Sequence, residues 1–224
     1  MLFQKDNQLL CFIHIPRNGG RFVYNLLKTN SFNITPRSIL FQKKKFYSEQ
    51  EYLHLTYNKI AEIHPEALYA KKIVIIRDPI EKFKSAIGTE WAQSLYLKED
   101  MLSKMDDSEY FKYVMEKKRF GLRTKGIDFK FNGLKNTFTN WFRPQSEFYN
   151  EDFRVWKFEN GFGMDFRIFL RDTVGLDIDI NIEIERNYSK LSYDDKIEGF
   201  SLSKKLTENV LNFYWADHQI WKQL

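Results

Sequence analysis

Two short segments hold side chains of the kinds that bind anions. They are Phe12-Ile13-His14-Ile15-Pro16-Arg17-Asn18-Gly19-Gly20-Arg21, and Ile73-Val74-Ile75-Ile76-Arg77-Asp78-Pro79 running on to Ser85. Each reads as an apolar strand that breaks into a turn and restarts as a helix, which aims backbone N–H groups and basic side chains at a phosphate or sulfate. Two such sites in one domain imply a ligand with two anionic ends. In the first, Arg17 is a fixed positive charge at the mouth, and the amides of Asn18, Gly19, Gly20, Arg21 and Phe22 open a helix. That cradle suits the terminal sulfate or phosphate of a nucleotide and would stabilise charge growing on its bridging oxygen as the bond breaks. A plain strand-to-helix turn is the other reading of this segment taken alone. In the second, Arg77 ends an apolar strand and Ser85 lies on the following helix, so a guanidinium and a hydroxyl can converge on one phosphate. Lys82, one turn earlier, adds a further charge.

The first loop is not a Walker A sequence. Pro16-Arg17-Asn18-Gly19-Gly20 has no Lys after its second Gly and no Ser or Thr there for magnesium, which disfavours a conventional ATPase or kinase. The four histidines are the natural candidates for proton transfer. His54 stands in a polar stretch before the second strand, as a base or as an exposed loop residue. His14 falls inside the first strand and reads as a core histidine, while His64 and His218 sit in helical contexts and read as structural. Glu159 either orients an acceptor or pairs with a basic residue. Arg143 and Gln145 reach a ligand or belong to a surface loop. Trp141, Trp156, Trp215 and Trp221 suit stacking on a base or sugar, or core packing.

The elements that must position these groups are legible as alternating strands and helices. Leu9 to Ile15 is an apolar strand ended by Pro16, and Arg21 to Lys28 follows with Phe22, Leu26 and Leu27 at helical spacing. Residues Asn30 to Glu51 are polar and basic, a long connection or a lid. A short helix at Thr56 to Ile63 leads into a strand at Lys72 to Ile76, and Pro79 suits the first turn of the next helix. Asp106 to Lys118 is a capped amphipathic helix, followed by a loop to about Asn140. Phe153 to Phe158 is a strand, Met164 to Thr173 a helix capped by Gly175, and Ser203 to the end one long helix or a pair. This alternation implies an α/β three-layer sandwich with a mostly parallel central sheet, whose ligands bind beyond the carboxyl ends of the strands.

A chain of 224 residues without repeats or linker-like tracts is expected to form a single domain over 1–224. Hydrophobic residues make up 43% and aromatics 17%, too rich in core formers for a disordered chain. The formal charge of +5 is scattered apart from Lys43-Lys44-Lys45, so it favours anionic partners weakly and fits an ordinary solvated surface. The single Cys11 cannot form an intramolecular disulfide, and no Cys/His spacing suits zinc. No stretch approaches the roughly 18 apolar residues of a membrane span, and the first ten residues lack a signal-peptide core. A cytoplasmic protein is expected, with no membrane span.

The motifs together resemble the superfamily of sulfotransferases that use 3'-phosphoadenosine 5'-phosphosulfate (PAPS), in its carbohydrate branch of the heparan sulfate and chondroitin type. There, His-Ile-Pro-Lys-Thr-Gly-Gly-Thr binds the 5'-phosphosulfate and Arg-Asp-Pro-x-x-Arg-x-x-Ser the 3'-phosphate. Here they stand as His14-Ile-Pro-Arg-Asn-Gly-Gly-Arg21 and Arg77-Asp-Pro-Ile-Glu-Lys-Phe-Lys-Ser85. The likeness continues in a His-containing segment at His54, in Trp141-Phe-Arg-Pro-Gln-Ser146, in Phe158-Glu159-Asn160 and in Tyr214-x-x-Asp217. Two positions depart from the pattern. Arg17 replaces the usual Lys, keeping the charge but losing the compact ammonium, and Arg21 replaces a Thr, removing a hydroxyl while keeping the N–H.

The resemblance implies a fold like the P-loop-containing nucleotide hydrolases and transfer of a sulfuryl group from PAPS, without a metal, to a hydroxyl acceptor such as a glycan. Arg17 would act on the leaving side and His54 as base. Arg17, Asn18, Gly19, Gly20, Arg21, Phe22, Arg77 and Ser85 would hold the donor. Two alternatives are a P-loop kinase of small molecules using ATP and magnesium, and a nucleic-acid-binding module. The kinase lacks a Walker Lys. The module lacks a basic stripe, so no nucleic-acid partner is expected.

Overall fold

The computed structural model describes residues 1–35, 53–87, 142–179 and 202–224. The chain divides into two compact units, one made of Met1–Arg77 and Gln145–Leu191, the other of Asp78–Pro144 and Ser192–Leu224. Each is built from two separate stretches of sequence. The helix expected at 106–118, the loop to 140, Trp141 and the residues 36–51 of the expected lid lie outside the described residues.

The first unit is built on a five-stranded sheet in the order β3-β1-β2-β4-β5, comprising β1 (Leu2–Lys5), β2 (Gln8–Ile13), β3 (Asn33–Ile34), β4 (Lys71–Ile76) and β5 (Arg154–Lys157). β2, β4 and β5 run parallel, with Ile13 opposite Val74 and Ile76 opposite Lys157. β1 is antiparallel to both β2 and β3. The sheet is therefore mixed rather than mostly parallel, because a hairpin the sequence did not announce adds two antiparallel ladders at one side. β1 is only four residues long, and a tight turn at Asp6-Asn7 joins it to β2. Asp6 takes φ 51 there, a conformation that Asp tolerates better than most residues. β3 likewise falls inside the stretch read as a connection.

β2 and β4 occupy the middle of the sheet, as their apolar runs require. Leu10, Cys11, Phe12, Ile13, Ile73, Val74, Ile75 and Ile76 are all buried. Cys11 is a small core residue, and burial pushes its thiol pKa up. From β2 the chain turns into α1 (Gly20–Thr29), which buries Phe22, Val23, Leu26 and Leu27 on one face. Asn30 closes α1. Its Nδ2 donates to the Leu26 and Asp179 carbonyls, and its Oδ1 accepts from the Asp179 N–H.

α2 (Tyr57–Ile63) begins after Thr56 and leads through a single 3-10 turn into β4. β5 is followed by the 3-10 turn Phe158–Asn160 and by α4 (Met164–Ile168), numbered after α3 of the second unit. α4 widens into a π turn over Phe169–Thr173 and stops at Gly175, whose φ of 70 fits a left-handed cap that glycine adopts without strain.

The second unit contains α3 (Pro79–Ile87), α5 (Lys204–Phe213) and α6 (Trp215–Gln223), so the C-terminal stretch forms a pair of helices. Asp78 caps α3, its Oδ1 accepting from the N–H groups of Ile80 and Glu81, with Pro79 in the first turn. Ser203 caps α5 by accepting from Leu206 N–H. Phe83 of α3 meets Phe142 and Tyr214 edge-on or tilted, and the Tyr214 hydroxyl donates to the Phe142 carbonyl at 2.6 Å. Lys82, buried at 2% exposure, donates from Nζ to the Arg143 carbonyl at 2.9 Å and lies over the Tyr214 ring. Among the described residues no helix is long and apolar enough to cross a membrane.

Candidate active site

Because β2 and β4 are parallel neighbours, the segments that leave their C-terminal ends emerge on the same edge of the sheet. The first is a tight turn. Asn18 N–H donates to the Ile15 carbonyl at 3.3 Å, which places Pro16 and Arg17 at its two central positions. Arg17 has φ 71, where a type II turn favours glycine, and holding a bulky side chain there costs about 1–2 kcal/mol. Strain of this kind persists only where the surroundings over-determine the backbone. Gly19 follows as the helix N-cap, also left-handed at φ 74.

The turn is bolted down from below. Asn18 is 1% exposed, and its Nδ2 donates to the Ile75 carbonyl at 2.9 Å and to Gln145 Oε1 at 2.5 Å. The same Oε1 accepts from Arg77 N–H at 2.9 Å, while Gln145 Nε2 donates to the Arg77 carbonyl at 2.8 Å. Gln145 thus pairs with the backbone of Arg77 much as a neighbouring strand would. It is a buried bracket between the loop and the end of β4, not a surface residue.

The Arg77 guanidinium donates from Nη1 to the Arg17 carbonyl at 3.2 Å and lies 4.4 Å from the centre of the Phe158 ring. The two basic motif residues, distant in sequence, therefore meet. A phenylalanine wall backs them. Phe22 stacks on Phe162 at 4.7 Å, and Phe162 meets Phe158 edge-on. A Cβ at Gly19 would fall 2.6 Å from Phe162 Cζ.

The amides divide into two sets. Those of Asn18 and Phe22 are used inside the turn, the latter donating to the Gly19 carbonyl at 3.0 Å. Those of Gly19, Gly20 and Arg21 meet no acceptor among the described residues, as expected where a helix begins. They carry the partial positive charge of the α1 N-terminus. Arg21 is exposed and Arg17 half-buried.

His54 stands beside this loop. Its Nδ1 lies 3.0 Å from the His14 carbonyl, so Nδ1 carries the proton of the neutral ring and Nε2 the lone pair. Burial lowers its pKa to about 4, an effect the bond to the His14 carbonyl opposes. His14 packs against His54. It lies just past β2 rather than within it, and its ring centre is 4.4 Å from that of His54. A Cβ at Gly20 would fall 1.7 Å from His14 Cδ2, so the start of α1 presses on the imidazole. Burial, then the neighbouring His54, the terminal amino group and Arg21, hold the His14 pKa well below the usual histidine value. Its Nδ1 is buried and meets no hydrogen-bond partner among the described residues.

The remaining candidates are placed as follows. Ser85 is on α3 of the second unit, 3% exposed. Lys82 commits its ammonium to the Arg143 carbonyl, and Arg143 itself is buried. Glu159 is exposed. Trp156 is a core residue whose Nε1 donates to the Gly161 carbonyl, whereas Trp215 is exposed. His64 is fully buried against Glu66, and His218 stacks on Trp221. Among the described residues no group of three His, Cys, Asp or Glu side chains is arranged to hold a metal ion. No protein-family model, no curated protein and no solved structure matches this chain.

Proposed function

We propose that the chain is a sulfotransferase that moves a sulfuryl group from PAPS to a hydroxyl of an acceptor, a saccharide first among them. The observation that carries this reading is the meeting of the two basic motifs. The guanidinium of Arg77 reaches the carbonyl of Arg17, at the edge where parallel strands β2 and β4 end. Ligands of open α/β sheets bind at that edge, and a donor with anionic groups at two ends suits two adjacent cationic loops. The finer fold expectation, a three-layer arrangement like the P-loop nucleotide hydrolases, belongs to this proposal. So does the cytoplasmic setting, in which the lone buried Cys11 needs no oxidising compartment.

In the proposed reaction the acceptor oxygen attacks the sulfur in line with the bond to the bridging phosphate oxygen. As that bond breaks, negative charge collects on the departing 5'-phosphate. Arg17 and the amides of Gly19, Gly20 and Arg21 are the groups placed to receive it, and their fixed orientation avoids reorganisation during the step. The hydroxyl proton passes to Nε2 of His54, whose Nδ1–H is held by the His14 carbonyl. Arg77 serves the 3'-phosphate. No step needs a metal.

Titration calorimetry with adenosine 3',5'-bisphosphate, followed by transfer of labelled sulfate from PAPS to a panel of glycans, tests the reading. Submicromolar to micromolar binding and label on a glycan are expected. Absence of binding by the intact protein would end the proposal, and stabilisation by magnesium-ATP in its place would favour a kinase.

A further inference from the structure

Arg77 makes contacts that a residue serving only as an anion ligand would not need. Its backbone is held on both sides by one amide, Gln145 accepting from its N–H and donating to its carbonyl. Its guanidinium is laid against the Phe158 ring at 4.4 Å and donates from Nη1 to the Arg17 carbonyl at 3.2 Å. The recipient matters, because Arg17 is the non-glycine residue held at φ 71 in the first loop.

The peptide plane joining Arg17 to Asn18 is pinned at both ends. Its oxygen accepts from Arg77, and its N–H donates to the Ile15 carbonyl at 3.3 Å. This plane directs the chain into left-handed Gly19 and so sets where the amides of Gly19, Gly20 and Arg21 point. The ring that steadies the guanidinium also faces Gly19, a Cβ there falling 3.1 Å from Phe158 Cε2. One side chain therefore touches the element that fixes the shape of the cradle.

We propose that Arg77 is a positioning residue for the first loop, holding the cradle in the shape that receives the 5' end of the donor, in addition to any contact with the 3'-phosphate. The assignment of the two ends rests on the reading under Proposed function. The clamp itself does not. A residue serving the 3'-phosphate alone would affect only nucleotides that carry that group, whereas a loop clamp also affects those that lack it.

The test compares wild type with Arg77→Met and Arg77→Lys. The lysine variant keeps the charge and an alkyl stem over Phe158 but loses the planar fork, and it serves where the methionine variant fails to fold. Hydrogen exchange of the bonded loop amides, those of Asn18 and Phe22, in protein without ligand, is read first. Exchange is expected to speed up tenfold or more in both variants, with other amides of the sheet unchanged. Affinities for adenosine 5'-monophosphate and adenosine 3'-monophosphate are then measured by displacement of adenosine 3',5'-bisphosphate. The 5'-monophosphate is expected to bind at least tenfold more weakly in the variants. Unchanged exchange in the loop, or loss of affinity confined to the 3'-monophosphate, would overturn the proposal. If the wild-type protein binds none of these nucleotides, the donor reading fails while loop exchange still decides the clamp.

Discussion

Arg17 combines a strained backbone with a charge placed at the mouth of the loop, and the two properties can be separated by substitution. Arg17→Gly removes the left-handed penalty of about 1–2 kcal/mol but adds glycine's entropy cost of up to about 1 kcal/mol. Urea unfolding should therefore show unchanged or slightly higher stability, while on the proposed reading sulfate transfer should fall by two orders of magnitude or more as the leaving-side charge is lost. His54 makes a pH-dependent prediction. Its folded pKa of about 4 lies below the unfolded value of 6.5, so the unfolded chain binds more protons in that window and stability falls as the pH drops from 6.5 toward 4. Denaturation from pH 7 to 4 should show that His54→Gln removes on the order of 3 kcal/mol of this loss. If His54 is the base, the rate rises around pH 4 and is flat through neutrality, and the variant loses roughly 100- to 10,000-fold. Gly20→Ala should cost about 1–3 kcal/mol by thermal melting, because the new methyl displaces the His14 ring.

The helices of the second unit enclose an amine that titrates far from its usual range. Burial lowers the Lys82 pKa from 10.5 to about 8, although the Asp217 carboxylate opposes the shift. Between pH 8 and 10.5 the unfolded chain holds the extra proton, so stability should rise with pH there, by on the order of 3 kcal/mol. Below pH 8 the burial cost is present in full. Comparing the urea midpoints of wild type and Lys82→Met across this range isolates the effect, and parallel curves would refute it. β2 and β4 were readable from their apolar runs and α1 from the helical spacing of its apolar residues. β1 was not, because Leu2-Phe3-Gln4-Lys5 has two apolar residues and its pairing with β2 depends on the Asp6-Asn7 turn. Gly175 as a cap and Pro79 as a helix opener followed from backbone chemistry that holds in any context. Asp78, noticed as part of an anion motif, proved to cap α3, a role its neighbouring proline makes intelligible afterwards.

For the molecule as a whole, ligand binding should register as stability. On the proposed reading, adenosine 3',5'-bisphosphate at a hundred times its Kd would add about 2.7 kcal/mol, a Tm rise of roughly 5–10 °C for a chain of this size, readable by scanning calorimetry. The candidate site was legible as two motifs, since residue types and turn signals are local. Its joinery was not, because the bonds linking Asn18, Gln145 and Arg77 depend on strand order and on which amide fills a buried gap. The same strand order bears on how the molecule assembles in time. The β1–β2 hairpin closes over a two-residue turn, whereas β2–β4 and β4–β5 register needs long excursions of chain, and non-local pairing of that kind is slow. The cradle and its arginine clamp should therefore form later in refolding than the hairpin, an order that pulse-labelled hydrogen exchange would read.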